Sequence, residues 1–289
     1  MAAVDIIYSP FDAGQKDWRF GCGPTRILQQ DAIARIEATG ADVRLIEIEP
    51  RVFYESENCM GFEIQRRISE AAANACREKR LPLVIAGNCN AAVGGISGIG
   101  GGSKRGHVWF DAHGDFCTPE TTDSGFLDGM GLAMMVGRCW QRVLSHMTGY
   151  EPIAETATAL VGARNLDSLE AEDLAASAIT HLRVEDIREN GVKVAFKPFL
   201  HNLAQEVEQV YIHVDLDVHD PAEVPANMLN VAAGLWAEEV REAVTVLGQH
   251  VRIAGAGLGS YDPAVDPEGK TAEVAVKLLE TILLASEGH

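Results

Sequence analysis

Short apolar runs alternate with longer helical segments along the chain. Strand-like runs occupy residues 5–9, 43–48, 83–86, 107–111, 159–161, 179–182, 210–214 and 251–254. Helical patterns occupy residues 24–39, 61–80, 127–147, 167–176, 196–207, 237–248 and 272–286. Several strand-like runs are apolar throughout, which is typical of parallel strands covered on both faces. The alternation predicts an α/β fold, with a three-layer α/β/α architecture around a mainly parallel sheet of about eight strands.

The composition limits the domain count and the partners. Apolar residues make up 47% of the 289 residues, which is enough to bury a large core and excludes a disordered chain. The sequence has no Pro- or Ser-rich linker and no internal repeat, which favours a single domain over 1–289. Because 24 basic residues face 42 acidic ones, the net charge of −18 disfavours nucleic acid and anionic membranes as partners.

Cysteine usage and the first residues bear on the compartment. Six cysteines are scattered without a paired pattern, which suits a reducing cytoplasm better than a disulfide framework. Residues 1–7 lack the basic and long apolar segments of a signal peptide. The longest apolar stretches fall short of the roughly 20 residues that a membrane span needs. We therefore expect a cytoplasmic protein.

Acidic side chains follow two of the strand-like runs. Asp111, His113 and Asp115 come after the run that begins at residue 107, and Asp215 and Asp217 come after the run at 210–214. Side chains two residues apart in an extended segment point to the same side. In open parallel sheets, ligands bind outside the carboxyl ends of the strands. We therefore expect these five side chains to converge at that edge of the sheet.

A cluster of this composition indicates a metal site. Four carboxylates gathered in a partly buried cleft are unfavourable unless a cation compensates them. Together with one imidazole they suit one or two divalent ions that prefer oxygen and nitrogen ligands, Mn²⁺ first. The alternative is that each aspartate only starts a loop or caps a helix. Two such motifs, each after an apolar strand, favour the metal site.

The same motifs resemble those of a known family. The segment 111–130, DAHGDFCTPETTDSGFLDGM, resembles the metal-binding signature of arginases and agmatinases, the ureohydrolase superfamily. The segment 213–221, HVDLDVHDP, resembles their second signature, and weaker similarities occur at 23–24, 161–164 and 260–263. The resemblance implies a single α/β domain with two Mn²⁺ per chain at the carboxyl ends of the strands.

The resemblance also implies a role for each ligand. Asp111 and Asp215 match the ligands that bridge both metals. His113 and Asp217 match ligands of one metal, and Asp115 matches a ligand of the other.

The remaining family ligand is a histidine after the third strand. An ungapped match places Cys89 at that position, whereas a shift by one residue would place Asn90 there. Cys89 is either a thiolate ligand, since a cation readily deprotonates a thiol, or a buried small apolar residue. As a ligand softer than imidazole, it would hold Mn²⁺ less firmly or admit Zn²⁺ or Fe²⁺.

Three departures from the family pattern affect the substrate. A histidine thought to shuttle protons aligns with Asp128, which is the second candidate catalytic residue beside Asp115. The acidic residue that pairs with the substrate guanidinium aligns with Ser260, and Asp262, two residues away on the same face, is a possible substitute. An asparagine that contacts the α-carboxylate aligns with Cys117.

Two substrate-binding positions are kept. Ser124 matches a serine that contacts the α-carboxylate, and Asp167 matches a residue that binds the α-amino group. The alternative for both is ordinary turn and helix-cap chemistry. The sequence thus keeps about half of the family residues that bind an amino-acid-like substrate.

The resemblance implies a manganese-dependent hydrolase of a guanidino or amidine C–N bond. Its small-molecule guanidino substrate would be amino-acid-like, such as arginine or N-hydroxy-arginine, and the product urea or a substituted urea. Asp115 would act as general acid and base. The segment 118–123 looks closest to members that act on N-hydroxy-arginine. The resemblance further implies a homo-oligomer, either a trimer or a hexamer.

Two alternatives remain. Loss of the histidine ligand could leave a single-metal amidohydrolase that uses only Asp111, His113, Asp215 and Asp217. The combined changes at Cys89, Asp128 and Ser260 could instead mark a non-catalytic homologue that binds a metal or small molecule.

Overall fold

One eight-stranded sheet organises the residues described by the computed structural model, which are 2–100 and 102–288. Its strands are β1 Ala3–Ser9, β2 Asp42–Glu47, β3 Leu81–Ala86, β4 Arg105–Phe110, β5 Thr158–Val161, β6 Thr180–Leu182, β7 Gln209–Asp215 and β8 Arg252–Gly259. Their order across the sheet is β2-β1-β3-β8-β7-β4-β5-β6, and every neighbouring pair is parallel. The predicted α/β fold with a parallel eight-stranded sheet is confirmed.

Helices cover both faces of the sheet, so β4 and β7 are buried at every residue. The helices are α1 Gly23–Leu28, α2 Ala32–Ala38, α3 Glu57–Arg77, α4 Ala91–Gly98, α5 Gly131–Met135, α6 Gln141–Leu144, α7 Ser168–Ala176, α8 Val184–Asn190, α9 Val192–Glu206, α10 Ala237–Gly248 and α11 Lys270–Ser286. In the part of the chain described, none of them combines the length and the apolar character needed to cross a membrane.

Two predicted helices are interrupted by left-handed residues. The segment 24–39 divides into α1 and α2 because Asp31 has a φ of 56°. The segment 127–147 divides into a short 3-10 turn, α5 and α6, and the chain between α5 and α6 contains Gly137 at φ 81° and Trp140 at φ 55°. Apolar periodicity continues through these residues, but a left-handed residue cannot continue a right-handed helix.

The register between β4 and β7 brings the two acidic motifs together. Trp109 pairs with His213, and Phe110 pairs with Val214. The next residues along the two strands are Asp111 and Asp215, so these carboxylates leave the sheet side by side. Both motifs therefore meet at one carboxyl edge, as the sequence predicts.

Candidate metal centre

A cavity of about 150 Å³ opens at the carboxyl ends of β4 and β7. Ten of the twelve predicted site residues line it: Cys89, His113, Asp115, Cys117, Ser124, Asp128, Asp167, Asp215, Asp217 and Ser260. Asp111 lies behind this lining and is fully buried. Only Asp262 is absent from the group.

Asp111 is held by donors from its own segment. The Trp109 indole Nε1 donates to Oδ2 at 2.9 Å, and the His113 backbone N donates to Oδ1 at 2.7 Å. Although burial disfavours the charged form, the hydrogen bonds and the positive charge of His113 lower the pKa of Asp111. This carboxylate is therefore ionised and fixed in direction.

The His113 ring bridges the two motifs. Its Nδ1 lies 3.4 Å from Asp111 Oδ1 and 3.4 Å from Asp217 Oδ2. Burial alone would lower the pKa of His113, but its interaction with Asp111 and the charge of Asp217 raise it to about 9. The positive charge of this ring therefore offsets part of the negative charge of the two carboxylates.

Asp215 and Asp217 form the second half of the cluster. The Asp217 backbone N donates to Asp215 Oδ1 at 2.7 Å, and the Ala112 backbone N donates to Asp217 Oδ1 at 3.2 Å. Burial and the charge of Asp111 raise the pKa of Asp217 to about 6. Burial and the neighbouring carboxylates raise the pKa of Asp215 well above its usual range. The ionised form of both groups is thus unfavourable, and a bound cation would stabilise it.

Cys89, not Asn90, lies among the carboxylates. Its Sγ donates to Asp215 Oδ2 at 2.8 Å and is 3.1 Å from Ser260 Oγ. Asn90 instead accepts from Gln65 Nε2 at 3.1 Å and donates to Asp128. Burial and the surrounding carboxylates raise the pKa of the Cys89 thiol, and a bound cation would reverse that balance.

Asp115 occupies a strained backbone position. Its φ of 48° is left-handed, which costs about 1 kcal/mol or more for a residue other than glycine. Its carbonyl oxygen accepts from the Leu132 N at 2.9 Å and the Ala133 N at 3.2 Å, so the start of α5 holds the turn in place. Burial, followed by the charges of Asp111 and other carboxylates, raises the pKa of Asp115 well above its usual range.

Three donors engage the Asp128 carboxylate. The Asn90 backbone N donates to Oδ1 at 2.9 Å, the Asn90 Nδ2 donates to the same oxygen at 2.5 Å, and the Asn88 Nδ2 donates to Oδ2. Burial nevertheless raises the pKa of Asp128 to about 7. Asp128 thus binds the residues on both sides of Cys89.

Asp262 does not reach the cavity. Ser260 has a φ of 61°, so the chain turns there instead of continuing as a strand. The Asp262 Oδ1 accepts from the Ala264 N at 3.0 Å and begins a 3-10 turn, Pro263–Val265. The prediction that Asp262 shares a face with Ser260 therefore fails, because the alternation rule applies only to extended chain.

The outer part of the cavity carries the predicted substrate-binding residues. Ser124 is exposed, and its Oγ accepts from the Phe126 N at 3.2 Å. Asp167 is exposed at the start of α7. The Cys117 Sγ lies 4.0 Å from Asp167 Oδ2, and burial raises the pKa of this thiol to about 12.

Several lining residues escaped the sequence analysis. Glu170 is buried and accepts from the Phe116 N at 2.8 Å and from the Asp167 N at 3.2 Å. Asn227 donates from Nδ2 to Asp217 Oδ2 at 3.3 Å and to the Ser260 carbonyl at 2.7 Å. Because Asn227 comes from a loop with no motif of its own, only the tertiary structure identifies it.

Two overlapping groups of donor atoms fit divalent ions. One comprises Cys89, Asp111 and His213, the other Asp111, His113 and Asp217, and within each group the ligand atoms lie within 4.8 Å of one another. Among the described residues, His113 alone forms an ion pair with any of the four clustered carboxylates. Oxygen, nitrogen and sulfur donors around buried carboxylates that outnumber the one nearby imidazolium fit a metal centre, and Asp111 is common to both groups.

Arg164 ties the loops around this centre together. The groups it contacts are the carbonyl oxygens of Gly162, Asp217, Val218, His219, Val231 and Ala232, at 2.6–3.3 Å. We expect Arg164→Lys to lower the free energy of unfolding by about 2–4 kcal/mol, because one ammonium cannot serve this fan of acceptors. Denaturant titration measures the loss. Arg188→Lys, which alters one hydrogen bond to the Gly234 carbonyl and one cation–π contact with Trp236, is the control, and an equal loss in both variants contradicts the prediction.

The raised carboxyl pKa values predict how the metal-free protein responds to pH. Asp217 with a pKa of about 6 and Asp128 with a pKa of about 7 keep protons that the unfolded chain releases near pH 4. Their stabilising effect is complete below pH 4 and is lost as the pH rises through 7. We expect these two carboxyls to contribute a fall on the order of 3 kcal/mol between pH 5 and 8, whereas the buried imidazoles of His213 and His219, whose pKa values are lowered to about 4, act with the opposite sign. Denaturant unfolding with a chelator present isolates the fall as the difference between the unsubstituted protein and the Asp128→Asn, Asp217→Asn double variant. A difference that stays constant over this range contradicts the prediction.

Taken together, the sheet and its edge define an α/β protein whose metal-ligating side chains gather at the carboxyl ends of parallel strands. A sequence model of the arginase family matches residues 2–285. The chain therefore belongs to the arginase family, and with it to the hydrolases that cleave C–N bonds in linear amidines.

Individual relatives match over almost their whole length. The arginase of Staphylococcus aureus (strain COL) is 28% identical over 295 residues, which cover 96% of each protein. The arginase of Bacillus caldovelox is 28% identical and covers 98% of each. The crystal structure of arginase from Bacillus subtilis superposes with a TM-score of 0.88 at 28% identity, covering 98% of each chain.

Proposed function

We propose that this protein is a manganese-dependent hydrolase of a guanidino amino acid, such as arginine or N-hydroxy-arginine. The products would be urea or hydroxyurea and an amine. The observation that carries the proposal is the position of Asp111 in two overlapping groups of metal-donor side chains at the strand ends. Such a pair of sites is the arrangement that two-metal hydrolysis requires.

By resemblance to the family, His113 and Asp217 would hold one ion and Cys89 and Asp115 the other, and Asp111 and Asp215 would contribute to both. When bound, the ions would make a water molecule nucleophilic at neutral pH.

Asp115 is the residue placed to move the proton. It is buried, its pKa is raised, and it lines the cavity beside Asp215. It would take a proton from the attacking water as the C–O bond forms, and give it to the departing nitrogen as the C–N bond breaks. Because the start of α5 holds the Asp115 backbone, the carboxylate is already positioned before the reaction begins.

The inner wall of the cavity favours a weakly basic substrate. Ser260, a neutral hydroxyl that lines the cavity, aligns with the family carboxylate that pairs with a guanidinium, and Asp262 is engaged elsewhere. An N-hydroxyguanidine is a weaker base than a guanidine and depends less on such a charge. At the outer end, Ser124 and Asp167 would contact the α-carboxylate and the α-amino group.

Urea and hydroxyurea release tests this function. Protein loaded with Mn²⁺ is given arginine, N-hydroxy-arginine, and agmatine, which lacks the α-carboxylate. We expect N-hydroxy-arginine to be preferred and agmatine to be poor. The Asp167→Ala variant should raise KM for the amino acids more than it lowers kcat. A protein that binds two ions and releases no urea from any of them contradicts the proposal.

A non-catalytic homologue is the second candidate. It is favoured by the Asp128 carboxylate, which three hydrogen bonds engage at the position of a proton-shuttling histidine. A single-metal amidohydrolase would instead bind one ion per chain and turn over acylated amines. Metal content and the substrate panel, with an acylated amine added, distinguish all three.

The remaining proposals rest on family membership. We propose a single domain over 1–289, a homotrimer or homohexamer, and a cytoplasmic location. Light scattering of the purified protein measures the oligomer directly.

A further inference from the structure

His213 is a buried imidazole with no hydrogen-bond partner. It lies on β7 two residues before Asp215, and only 2% of its surface is exposed. Neither ring nitrogen meets a donor or acceptor among the residues that the structure describes. Buried polar groups are nearly always paired, so a side chain of this kind needs an explanation.

The surroundings of His213 direct it towards the metal centre. It pairs across the sheet with Trp109, and the two ring centroids are 4.2 Å apart. The Trp109 indole in turn donates to Asp111 Oδ2. A His213 ring nitrogen lies within 4.8 Å of both Cys89 Sγ and an Asp111 carboxylate oxygen.

The 4.8 Å limit on these separations is close to the largest separation expected of two ligands of one ion. Two atoms that each lie 2.0–2.3 Å from a metal are separated by at most about 4.6 Å. We propose that His213 is a metal ligand, binding the ion that Cys89 and Asp111 also bind. The assignment rests on the metal centre of the proposed function and adds to it a nitrogen donor from the floor of the site.

The proposal explains how the site functions with a thiol at position 89. A cysteine there removes an imidazole from the centre, and His213 supplies one from β7, which is the neighbour of the strand that precedes Asp111. The resulting sulfur, nitrogen and oxygen donors suit Zn²⁺, Co²⁺ or Fe²⁺ better than Mn²⁺. The group formed by Asp111, His113 and Asp217 is richer in oxygen. The two positions should therefore differ in metal preference.

His107 provides a matched control. It is also fully buried, and neither of its ring nitrogens has a partner among the described residues. Its ring packs against Trp109 and Tyr211, at centroid distances of 5.2 and 6.3 Å, and it belongs to neither donor group. Substituting either histidine thus removes an unpaired buried imidazole, but only His213 lies close to Cys89 and Asp111.

Titration of the metal-free protein with Co²⁺ tests the assignment. The thiolate of Cys89 should give a near-ultraviolet charge-transfer band, which Cys89→Ser abolishes. We expect His213→Asn to weaken Co²⁺ binding at this position at least about tenfold and to change the visible spectrum. His107→Asn should stay within about twofold of the unsubstituted protein. His213→Cys, which restores a ligand, should recover most of the affinity.

X-ray absorption of the unsubstituted protein with one equivalent of Zn²⁺ avoids any loss of folding in the variants. It should show one sulfur together with imidazole scattering, and His213→Cys should replace that imidazole by a second sulfur. Unchanged Co²⁺ affinity and spectrum in His213→Asn, or zinc scattering without imidazole, overturns the assignment. Failure to bind any divalent ion overturns it together with the proposed function. If two ions bind as described but no urea is released, the proposed function is wrong and the role of His213 stands. If urea is released and His213→Asn binds metal as the unsubstituted protein does, only the role of His213 is wrong.

Discussion

Asp115→Asn should reduce the rate of guanidine hydrolysis by about 10³-fold, the middle of the range seen when a general acid–base group is lost. Asparagine keeps the shape of the side chain but cannot accept a proton from water or return it to the leaving nitrogen. The buried position and raised pKa of Asp115 both favour its proton-carrying role. Steady-state kinetics on N-hydroxy-arginine measures the loss, which should fall on kcat.

The control is Asp123→Asn, an exposed carboxylate between Asp115 and Asp128 in the chain. Its activity should match that of the unsubstituted protein. Metal analysis of Asp115→Asn separates a lost proton carrier from a lost ligand, because the activity should stay low even at saturating Mn²⁺. Activity within tenfold of the unsubstituted protein at saturating Mn²⁺ would remove Asp115 from the mechanism.

We expect Asp215→Asn to stabilise the metal-free protein and to destabilise the metal-loaded protein relative to the unsubstituted protein. Without metal at pH 8, neutralising this carboxylate should raise the free energy of unfolding by about 2 kcal/mol, because it removes the cost of burying a charge and the repulsion from Asp217 and Asp111. With Mn²⁺ in about thousandfold excess over its Kd, the unsubstituted protein should gain about 4 kcal/mol that the variant largely forgoes. Denaturant unfolding with chelator and with Mn²⁺ measures both states.

Asp111→Asn is the matched comparison. The pKa of Asp111 is lowered, so its charge is already stabilised by Trp109 and His113. Its removal should therefore destabilise the protein both with and without metal. If Asp215→Asn also lowers the metal-free stability, the buried carboxylates do not repel one another as described.

The sequence predicts the sheet well because its signal is local. All eight strands carry apolar runs, and the acidic motifs after β4 and β7 need only strand alternation and a parallel register to meet. The helices are less predictable: the left-handed residues at Gly137 and Trp140 interrupt a pattern whose apolar periodicity continues. Only tertiary packing determines such interruptions.

The site shows the same division. The carboxylates of the two motifs converge as predicted, whereas Asp262 fails because Ser260 turns the chain out of the extended conformation. Asn227 comes from a separate loop, so no spacing within a motif reveals it. His213 has the appropriate spacing from Asp215, but a histidine inside an apolar strand gives no sign that its ring is unpaired.

The hydrogen bonds of Asp128 connect two of the departures from the family pattern. This carboxylate binds Asn88 on one side of the thiol and Asn90 on the other, so it fixes the backbone from which Cys89 projects. The position of the Cys89 side chain thus depends on Asp128. A Cys89→His substitution should therefore also require a change at position 128. The hydrogen bonds from Asn88 and Asn90 to Asp128 fix a backbone that suits the short cysteine side chain, and the longer histidine ring would point in the wrong direction.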